Sequence, residues 1–313
     1  MIKKIKKNYP LAGLTTFKIG GPAEYFIEIN KKEELKEAFD WAKEKNIQTN
    51  ILGGGSNVLI SDQGVKGLVV LIKNEKLSVN GERMAVGAGV SLAKVLSRAI
   101  SCGLSGLEWS NGIPRATIGG SIRGNGEAFS CSMSDIVETI EAFDVKNNRF
   151  EILSRNKCSF GYRKSIFSAS NNFIIWEAVL KMLRKDKKQI EEIVEKNLKF
   201  RLSKYPNLPS AGSVFKNLDP EKIKKKNSLF FNREIKNKIG RQGLVGAGLI
   251  IDLLGLKGKT IGGAKISLEH ANHIVNTGRA TADDVAQLIS LIKTRARDNF
   301  KIDLYEEIQY FGF

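Results

Sequence analysis

The stretch ILGGGSNVLI, residues 51–60, holds three consecutive glycines between two apolar segments. Glycine in a strand-like context gives up side-chain packing and costs chain entropy, so three in a row require a reason. Either the chain turns tightly here, or the bare backbone lets an anionic ligand approach closely. The stretch by itself leaves both interpretations open.

Two common phosphate-binding loops do not fit the triplet. A P-loop needs Gly-Lys-Ser/Thr after its glycines, and the later tripeptide Gly258-Lys259-Thr260 has Leu253 where that pattern requires a glycine. A Rossmann turn must open a helix, whereas the triplet leads through Ser56-Asn57 into the short strand-like Val58–Ile60. Neither fold class is therefore predicted.

The surrounding pattern predicts an α+β fold. Strand-like segments at Ala23–Ile29, Thr49–Leu52 and Leu68–Ile72, with an amphipathic helix over Glu33–Asn46, form a small α/β unit. The later elements are strands at Met84–Gly87, Ile136–Val145, Phe173–Leu183 and the C-terminus, and helices from Ser91 to Cys102, over Asp186–Leu202 and from Thr281, which has Asp284 in a capping box. The lysine- and asparagine-rich Glu221–Arg241 predicts a surface insertion or mobile loop.

A second glycine cluster, GIPRATIGGSIRGNGEAF at residues 112–129, strengthens the ligand interpretation of the triplet. Two segments of bare backbone can converge on one diphosphate and donate N–H groups to it without cations. The glycines at 53–55 would then serve to let the backbone approach an anion.

Composition narrows the class of protein. The chain has 50 Lys+Arg against 33 Asp+Glu, a net charge of +17, which suits an anionic partner, although dispersed surface lysines explain it equally well. The three cysteines show no CxxC spacing and predict a reducing compartment without a disulfide framework or zinc site. The opening MIKKIKKNYP lacks the apolar region of a signal peptide, and the apolar runs are too short for a membrane span. We expect a soluble cytoplasmic protein.

Seven motifs in series carry a family resemblance. In chain order they are TTFKIGGPAEYF (15–26), ILGGGSNVLISDQGVKGLVV (51–70), GLEWSNGIPRATIGGSIRGN (106–125), GYRKSIF (161–167), PSAGSVFKN (209–217), GLKGKTIGGAKISLEHANHIVNTG (255–278) and EEIQYFG (306–312). Together they resemble the UDP-N-acetylenolpyruvoylglucosamine reductases over nearly the whole chain. The spacing from GYR to AGSVFKN resembles the shorter, second class of that family.

The resemblance implies a two-lobed FAD-binding domain of the vanillyl-alcohol-oxidase (PCMH) type over residues 1–184, with lobes of about 1–70 and 71–184. It implies a C-terminal α+β substrate-binding domain over 185–313. FAD would bind non-covalently, since no histidine that could tether it lies near the triplet. The residues expected at the cofactor are Gly53, Gly54, Gly55, Ser56, Asn57, Ile113, Gly119, Gly120, Ser121, Gly124 and Asn125.

The implied reaction is a reduction of UDP-N-acetylglucosamine enolpyruvate by NADPH through FAD, which makes UDP-N-acetylmuramate for peptidoglycan. Hydride addition at C3 of the enolpyruvyl group leaves negative charge that requires donors or cations, and C2 then requires a proton. By their place in the motifs, Arg163 would hold the carboxylate, Ser213 would donate the proton and Glu307 would act at the same centre. Substrate contacts are expected from Tyr162, Lys216 and Asn217, in an enzyme that acts as a monomer without a nucleic-acid or membrane partner.

Three features need a choice or depart from the family pattern. Arg115 stands where the family has a glycine, so it either binds the diphosphate or strains the turn if its φ is positive. Glu306 and Glu307 would face opposite sides of a strand, and the distance from Gly312 favours Glu307. His270 and His273 lack nearby acidic or cysteine ligands, which favours a polar contact near the substrate or a surface pair over a metal site.

Two other functions compete with the reductase. A different flavin oxidoreductase of the same fold, such as a sugar oxidase, is not expected to carry AGSVFKN or HANHIVN. A basic nucleic-acid-binding protein is suggested by the net charge of +17, but the aromatic residues do not alternate with the basic runs as a stacking platform would. A flavin absorbance spectrum separates the flavoenzymes from the nucleic-acid binder.

Overall fold

The computed structural model describes residues 4–240 and 242–313, so Met1–Lys3 at the basic N-terminus and Arg241 at the end of the lysine-rich segment lie outside the described residues. The strands are β1 (Lys6–Pro10), β2 (Pro22–Ile29), β3 (Thr49–Leu52), β4 (Val58–Ile60), β5 (Val65–Ile72), β6 (Leu77–Asn80), β7 (Arg83–Gly87), β8 (Leu104–Ser105), β9 (Glu127–Ala128), β10 (Cys131–Ser132), β11 (Val137–Asp144), β12 (Arg149–Ser154), β13 (Phe173–Lys181), β14 (Leu183–Arg184), β15 (Ser210–Ser213), β16 (Thr260–Ile261), β17 (Ala264–Ile266), β18 (His273–Asn276) and β19 (Gln309–Phe311). The helices are α1 (Lys32–Glu44), α2 (Leu92–Ser101), α3 (Ile118–Arg123), α4 (Ile166–Ala169), α5 (Lys187–Lys204), α6 (Pro220–Lys226), α7 (Ser228–Phe230), α8 (Ala247–Leu253) and α9 (Ala282–Phe300). None of the helices in the described part of the chain combines the length and the apolar character needed to cross a membrane.

The chain packs into two compact units. Unit 1 contains residues 4–9, Ala23–Gly55 and Val65–Arg201, and unit 2 contains Pro10–Pro22, Ser56–Gly64 and Leu202–Phe313. These units differ from the domains drawn from the sequence, because two short N-terminal segments belong to unit 2 and unit 1 extends beyond residue 184.

Hydrogen bonds from two side chains of helix α5 attach it to unit 1. The Asn197 side chain donates a hydrogen bond to the Glu108 carbonyl at 3.1 Å, and Arg201 Nη2 donates to the Trp109 carbonyl at 2.8 Å. Both acceptors lie in unit 1, so the helix that the sequence places at the boundary is anchored to the unit before it.

Among its described residues, unit 1 has two larger sheets, besides the two-stranded pairs β9–β10 and β8–β14. In the first, ordered β1-β2-β5-β3, the strands β2 and β3 each run parallel to β5, and α1 connects β2 to β3 as predicted. The second sheet, ordered β12-β11-β13-β7-β6, is antiparallel throughout. Helix α2 begins where expected, because the Ser91 hydroxyl accepts a hydrogen bond from Lys94 N at 3.2 Å.

Unit 2 is built on the antiparallel sheet β15-β18-β17-β16 and has its own hydrophobic core. It also contains the parallel strand pair β4–β19. The predicted capping box of α9 is confirmed: Thr281 Oγ1 accepts from Asp284 N at 3.1 Å, and Asp284 accepts from Thr281 N at 3.0 Å. The Asp62 carboxylate also accepts from Ala282 N and Asp283 N, at 2.9 and 3.2 Å. This places a negative charge at the positive end of the helix dipole.

The prediction of a surface insertion or mobile loop at Glu221–Arg241 is wrong for the residues described. The segment forms α6, α7 and further helical turns up to Lys238. Its apolar residues enter the core of unit 2, where Ile223, Phe230, Phe231 and Ile235 are buried. The many lysines hide this pattern in the sequence, since they occupy the exposed positions between the buried residues.

Candidate active site

The two glycine clusters contact each other within unit 1, and their convergence on one diphosphate stays a prediction. A Cβ built on Gly54 would lie 1.6 Å from the Arg115 carbonyl oxygen, and one on Gly53 would lie 2.9 Å from Thr117 Oγ1. Gly54 must therefore be glycine because the backbone of the second cluster occupies the space of a side chain. The left-handed φ of +66° at Gly55 completes a tight turn.

Arg115 adopts the strained conformation considered from its sequence position. Its φ is +56°, a region that favours glycine, and its Nε donates a hydrogen bond to the Gly54 carbonyl at 3.2 Å. This hydrogen bond links the two glycine clusters, and the Arg115 side chain that makes it is exposed.

The rest of the second cluster forms α3 and its flanks. Thr117 caps the helix by accepting from Gly120 N at 3.4 Å. Gly119 faces Ala88, whose Cβ would lie 2.9 Å from an added Cβ, whereas Gly120 is exposed. Ser121 lies within α3, and Gly124 is the residue that caps its C-terminus. Ile113, which precedes the helix, packs against the core of unit 1.

Asn125 has a buried side chain that joins three parts of unit 1. It is 4% exposed, its Oδ1 accepts from Ser134 N at 2.9 Å, and its Nδ2 donates to the Gly161 carbonyl at 3.0 Å. In this structure the amide positions the turn that follows Gly161, so any contact of Asn125 with the cofactor stays a prediction.

That turn presents Tyr162 and Arg163. Gly161 and Lys164 exchange backbone hydrogen bonds at 3.0 and 3.1 Å, which leaves the two residues at the tip. Arg163 has a φ of +50°, and its Nη2 donates to the Glu127 carbonyl at 3.3 Å. The left-handed backbone and the hydrogen bond to the Glu127 carbonyl fix the position of this half-buried guanidinium.

In unit 2, Ser213 and Glu307 lie on adjacent chain segments. Ser213 ends β15, and the carbonyl of the next residue, Val214, accepts a hydrogen bond from Glu307 N at 2.8 Å. A bridge between Phe215 and Glu306 continues this pairing. The structure therefore brings together two of the three predicted catalytic residues, and Arg163 belongs to unit 1.

The two neighbouring glutamates have different environments. Glu306 Oε1 accepts from Lys293 Nζ of α9 at 2.8 Å in an ion pair. The Glu307 backbone is held by Asn57, whose Nδ2 donates to the Glu307 carbonyl at 3.1 Å. Asn57, predicted at the cofactor, thus also positions the Glu307 segment.

The remaining predicted residues of unit 2 lie near these segments. Lys216 N donates to the Tyr305 carbonyl at 2.9 Å, and the exposed Asn217 accepts through Oδ1 from Ala247 N at 3.3 Å. Ser56 is half-buried before β4. Within residues 4–240 and 242–313, no group of three or more His, Cys, Asp or Glu side chains that could hold a metal ion is present.

Two positioning residues were not assigned from the sequence. Asn272 is 3% exposed and fixes the strand after Ser213: its Oδ1 accepts from Phe215 N at 2.9 Å and its Nδ2 donates to the Phe215 carbonyl at 2.8 Å. Thr117 caps α3 and faces Gly53. Both residues lie within the motifs quoted above, but their structural roles are seen only from their hydrogen bonds.

Comparison with known proteins identifies the family. The model described as "FAD binding domain" matches residues 23–151, and "UDP-N-acetylenolpyruvoylglucosamine reductase, C-terminal domain" matches residues 203–311. The UDP-N-acetylenolpyruvoylglucosamine reductase of Bacillus subtilis (strain 168) is 33% identical over 99% of this chain and 95% of its own length. The chain belongs to the UDP-N-acetylenolpyruvoylglucosamine reductase family. The family's member from Synechococcus sp. (strain WH7803) is 32% identical over 99% of this chain and 94% of its own.

A solved structure from the same family agrees with the fold. The UDP-N-acetylenolpyruvylglucosamine reductase of Thermus caldophilus superposes with a TM-score of 0.77 at 31% identity, covering 98% of this chain and 99% of that one. The predicted α+β fold with an FAD-binding domain, and the assignment to an oxidoreductase family, are thereby confirmed.

The residues present fit FAD as the cofactor. Two glycine-rich segments lie in contact within unit 1, and Gly120 of the second segment is exposed. The eleven residues predicted at the cofactor include no carboxylate that would repel a diphosphate. Glycine backbone without a neighbouring carboxylate allows a phosphorylated ligand to approach closely.

Proposed function

We propose that the chain reduces UDP-N-acetylglucosamine enolpyruvate to UDP-N-acetylmuramate, with NADPH as the reductant and FAD as a non-covalent cofactor. One observation carries the proposal within this family: Glu307 N donates to the carbonyl of the residue after Ser213 at 2.8 Å. A hydroxyl and a carboxyl group on neighbouring segments can manage a proton at one carbon atom.

Bound FAD would supply the redox chemistry of the reaction, the transfer of hydride from NADPH to C3 of the enolpyruvyl group. The chain would hold it mainly through the backbone of the two glycine clusters, with Ser56, Asn57, Ile113 and Ser121 beside them. Gly54 and Gly119 support this surface indirectly, because each permits a close approach of two protein segments.

Arg163 would bind the carboxylate of the enolpyruvyl group. A guanidinium presents two parallel donors to a carboxylate, and one of its Nη atoms is already aligned by the Glu127 carbonyl at 3.3 Å. This positive charge stabilises the negative charge that develops at C2 and the carboxylate. Tyr162, Lys216 and Asn217 would contact other parts of the substrate.

Ser213 would donate the proton that C2 requires. A serine hydroxyl is a weak acid, so the basic enolate must draw the proton from it, and Glu307 would support the transfer at the same centre. The ion pair of the Glu306 carboxylate with Lys293 at 2.8 Å favours Glu307 over Glu306 for this role. We further propose that the enzyme works in the cytoplasm as a monomer, without a nucleic-acid partner.

Separate half-reactions test the role of Ser213. In Ser213→Ala, reduction of bound flavin by NADPH should proceed at the wild-type rate, because that step uses neither the enolate nor its proton. Reoxidation by the enolpyruvyl substrate should slow by about 10²–10⁴-fold, the usual contribution of general-acid catalysis. Rapid mixing with absorbance detection measures both rates.

Ser210→Ala is the matched control. Ser210 lies on the same strand, and its hydroxyl accepts a long hydrogen bond from Gly212 N at 3.4 Å. It should leave both half-reactions within about twofold of wild type. If Ser213→Ala instead reoxidises normally while NADPH no longer reduces it, Ser213 belongs to the nicotinamide step. A purified protein without flavin and without affinity for FAD would refute the proposed function itself.

A further inference from the structure

The hairpin of β9 and β10 in unit 1 has a disfavoured turn. Ala128 pairs with Cys131, so Phe129 and Ser130 form the two-residue loop, with φ angles of +51° and +64°. Positive φ at both positions of such a loop is typical of a type I′ turn, which favours asparagine and glycine. The Cβ of a phenylalanine crowds this left-handed backbone, and two-stranded hairpins are marginal on their own. Contacts outside the hairpin must therefore hold it in place.

The Phe129 side chain supplies such a contact. Its ring meets the Phe200 ring edge to face, with centroids 5.5 Å apart, and the Arg201 guanidinium lies 5.5 Å from its centroid. Both partners belong to the C-terminal part of α5, and all three residues lie in unit 1. Arg201 is itself fixed, because its Nη2 donates to the carbonyl of the buried Trp109 at 2.8 Å. Aromatic and cation–π contacts thus anchor the tip of the hairpin to α5.

The same hairpin holds the guanidinium of Arg163. The carbonyl of Glu127, the first residue of β9, accepts a hydrogen bond from Arg163 Nη2 at 3.3 Å. One residue separates Glu127 from Phe129, so a movement of the anchored tip also moves this carbonyl. The Asn125 amide acts elsewhere, because it binds the backbone carbonyl of Gly161 at 3.0 Å. The hairpin therefore contacts the charged group of Arg163, and Asn125 fixes the backbone that precedes it.

We propose that Phe129 is a positioning residue for Arg163, which it serves by anchoring the β9–β10 hairpin to α5. This inference rests on the proposed function, in which Arg163 binds the carboxylate of the enolpyruvyl group. While the hairpin is anchored, the Glu127 carbonyl orients the guanidinium before the substrate arrives. Without the anchor, the short hairpin opens locally and Arg163 loses this acceptor. The substrate must then order the side chain itself, which weakens its binding and slows its reaction.

A small set of variants separates this role from a contribution to the fold. Phe129→Ala removes the anchoring ring, whereas Phe129→Tyr keeps the ring and its contacts with Phe200 and Arg201. Ser130→Gly is the matched control, because it relieves the left-handed backbone of the same turn and leaves the anchor intact. Arg163→Ala, alone and combined with Phe129→Ala, completes a double-mutant cycle, which measures whether Phe129 acts through Arg163.

The main measurement is the second-order rate constant of flavin reoxidation by the enolpyruvyl substrate, taken by rapid mixing at concentrations below KM. Phe129→Ala should lower it by about 10-fold, because a misplaced binding group loses part of the roughly 10²-fold that correct placement contributes. Phe129→Tyr and Ser130→Gly should stay within about twofold of wild type. When Arg163 is already alanine, adding Phe129→Ala should change the constant by less than about twofold, since no guanidinium remains to be positioned. Reduction of the flavin by NADPH should stay within about twofold in Phe129→Ala.

The outcomes distinguish the inference from the proposed function. If Phe129→Ala slows reoxidation by the same factor with and without Arg163, the ring supports only the fold, so the inference is refuted and the proposed function stands. The inference also fails if Phe129→Ala stays within about twofold of wild type, or if Phe129→Tyr is as slow as Phe129→Ala. If Arg163→Ala reoxidises at the wild-type rate, the proposed role of Arg163 is wrong and the role of Phe129 falls with it. If the substrate does not reoxidise wild-type flavin at all, the proposed function itself fails, and the inference with it.

Discussion

Gly54 and Gly212 both adjoin predicted site residues, yet each is glycine for a different reason. At Gly54 a Cβ would lie 1.6 Å from the Arg115 carbonyl oxygen, so the constraint is the packing of two chain segments. At Gly212 nothing lies within 4 Å of the added Cβ, and the constraint is a φ of +78°. One site tolerates no side-chain volume, whereas the other tolerates volume but disfavours the backbone angle.

The difference corrects a natural inference about glycines near ligands. The sequence suggests that the triplet stays bare so that a diphosphate can approach it. The structure gives Gly54 a sufficient reason within the protein, since the carbonyl of Arg115 already occupies the space. A substitution at Gly54 therefore acts on the cofactor site by deforming it, and its first effect is on folding.

The largest expected effect is that of Gly54→Ala. Even a methyl group cannot fit 1.6 Å from an oxygen atom, so the two glycine clusters must separate. We expect a loss of more than about 3 kcal/mol in the free energy of unfolding, and loss of bound FAD. Chemical denaturation and the flavin absorbance of the purified protein measure the two effects.

Gly212→Ala is the matched control for this comparison. The methyl group has room, so the cost is that of a left-handed backbone for a residue with a Cβ, about 1–2 kcal/mol. FAD should remain bound. If Gly54→Ala is no less stable than Gly212→Ala, the contact with Arg115 does not govern the first glycine cluster.

The next largest effect compares Glu307 with Glu306. Glu307→Gln should slow flavin reoxidation by the substrate by about 10²-fold, because the variant cannot exchange a proton at the reacting carbon. Glu306→Gln loses the ion pair with Lys293 at 2.8 Å, a partly exposed interaction worth about 1 kcal/mol or less. It should leave the half-reaction unchanged, and rapid mixing compares the two directly. The opposite pattern would move the catalytic role to Glu306.

The elements that the sequence predicts well are those in which pattern and end signals agree. Helix α9 has both an apolar face and the Thr281–Asp284 capping box, and it begins at the predicted residue. The same approach gave a wrong prediction for the lysine-rich segment Glu221–Arg241. Short helical turns supply few apolar positions, and long basic side chains dominate the composition of the segment. Only the burial of residues such as Phe230 and Ile235 shows that it belongs to the core.

The candidate site was also predicted only in part. The motifs predict Ser213, Glu307 and Arg163, the residues that would take part in the reaction. They do not reveal that Asn125 secures the turn of Arg163, or that Asn57 binds the Glu307 carbonyl at 3.1 Å. Such positioning contacts join residues far apart in the chain, and no spacing within one motif encodes them.

The smallest expected effect is that of Arg115→Gly, which tests the other side of the Gly54 contact. Arg115 has a φ of +56°, so glycine relieves a backbone cost of about 1–2 kcal/mol. Against this gain, the variant loses the hydrogen bond from Nε to the Gly54 carbonyl at 3.2 Å, and glycine adds entropy to the unfolded chain. The free energy of unfolding should change by no more than about 1 kcal/mol.

Titration of the Arg115→Gly variant with FAD then decides whether the exposed guanidinium also contacts the diphosphate. Unchanged affinity confines Arg115 to holding the turn, whereas a loss of about tenfold or more, greater at low salt than at high salt, assigns it a charge contact with the cofactor.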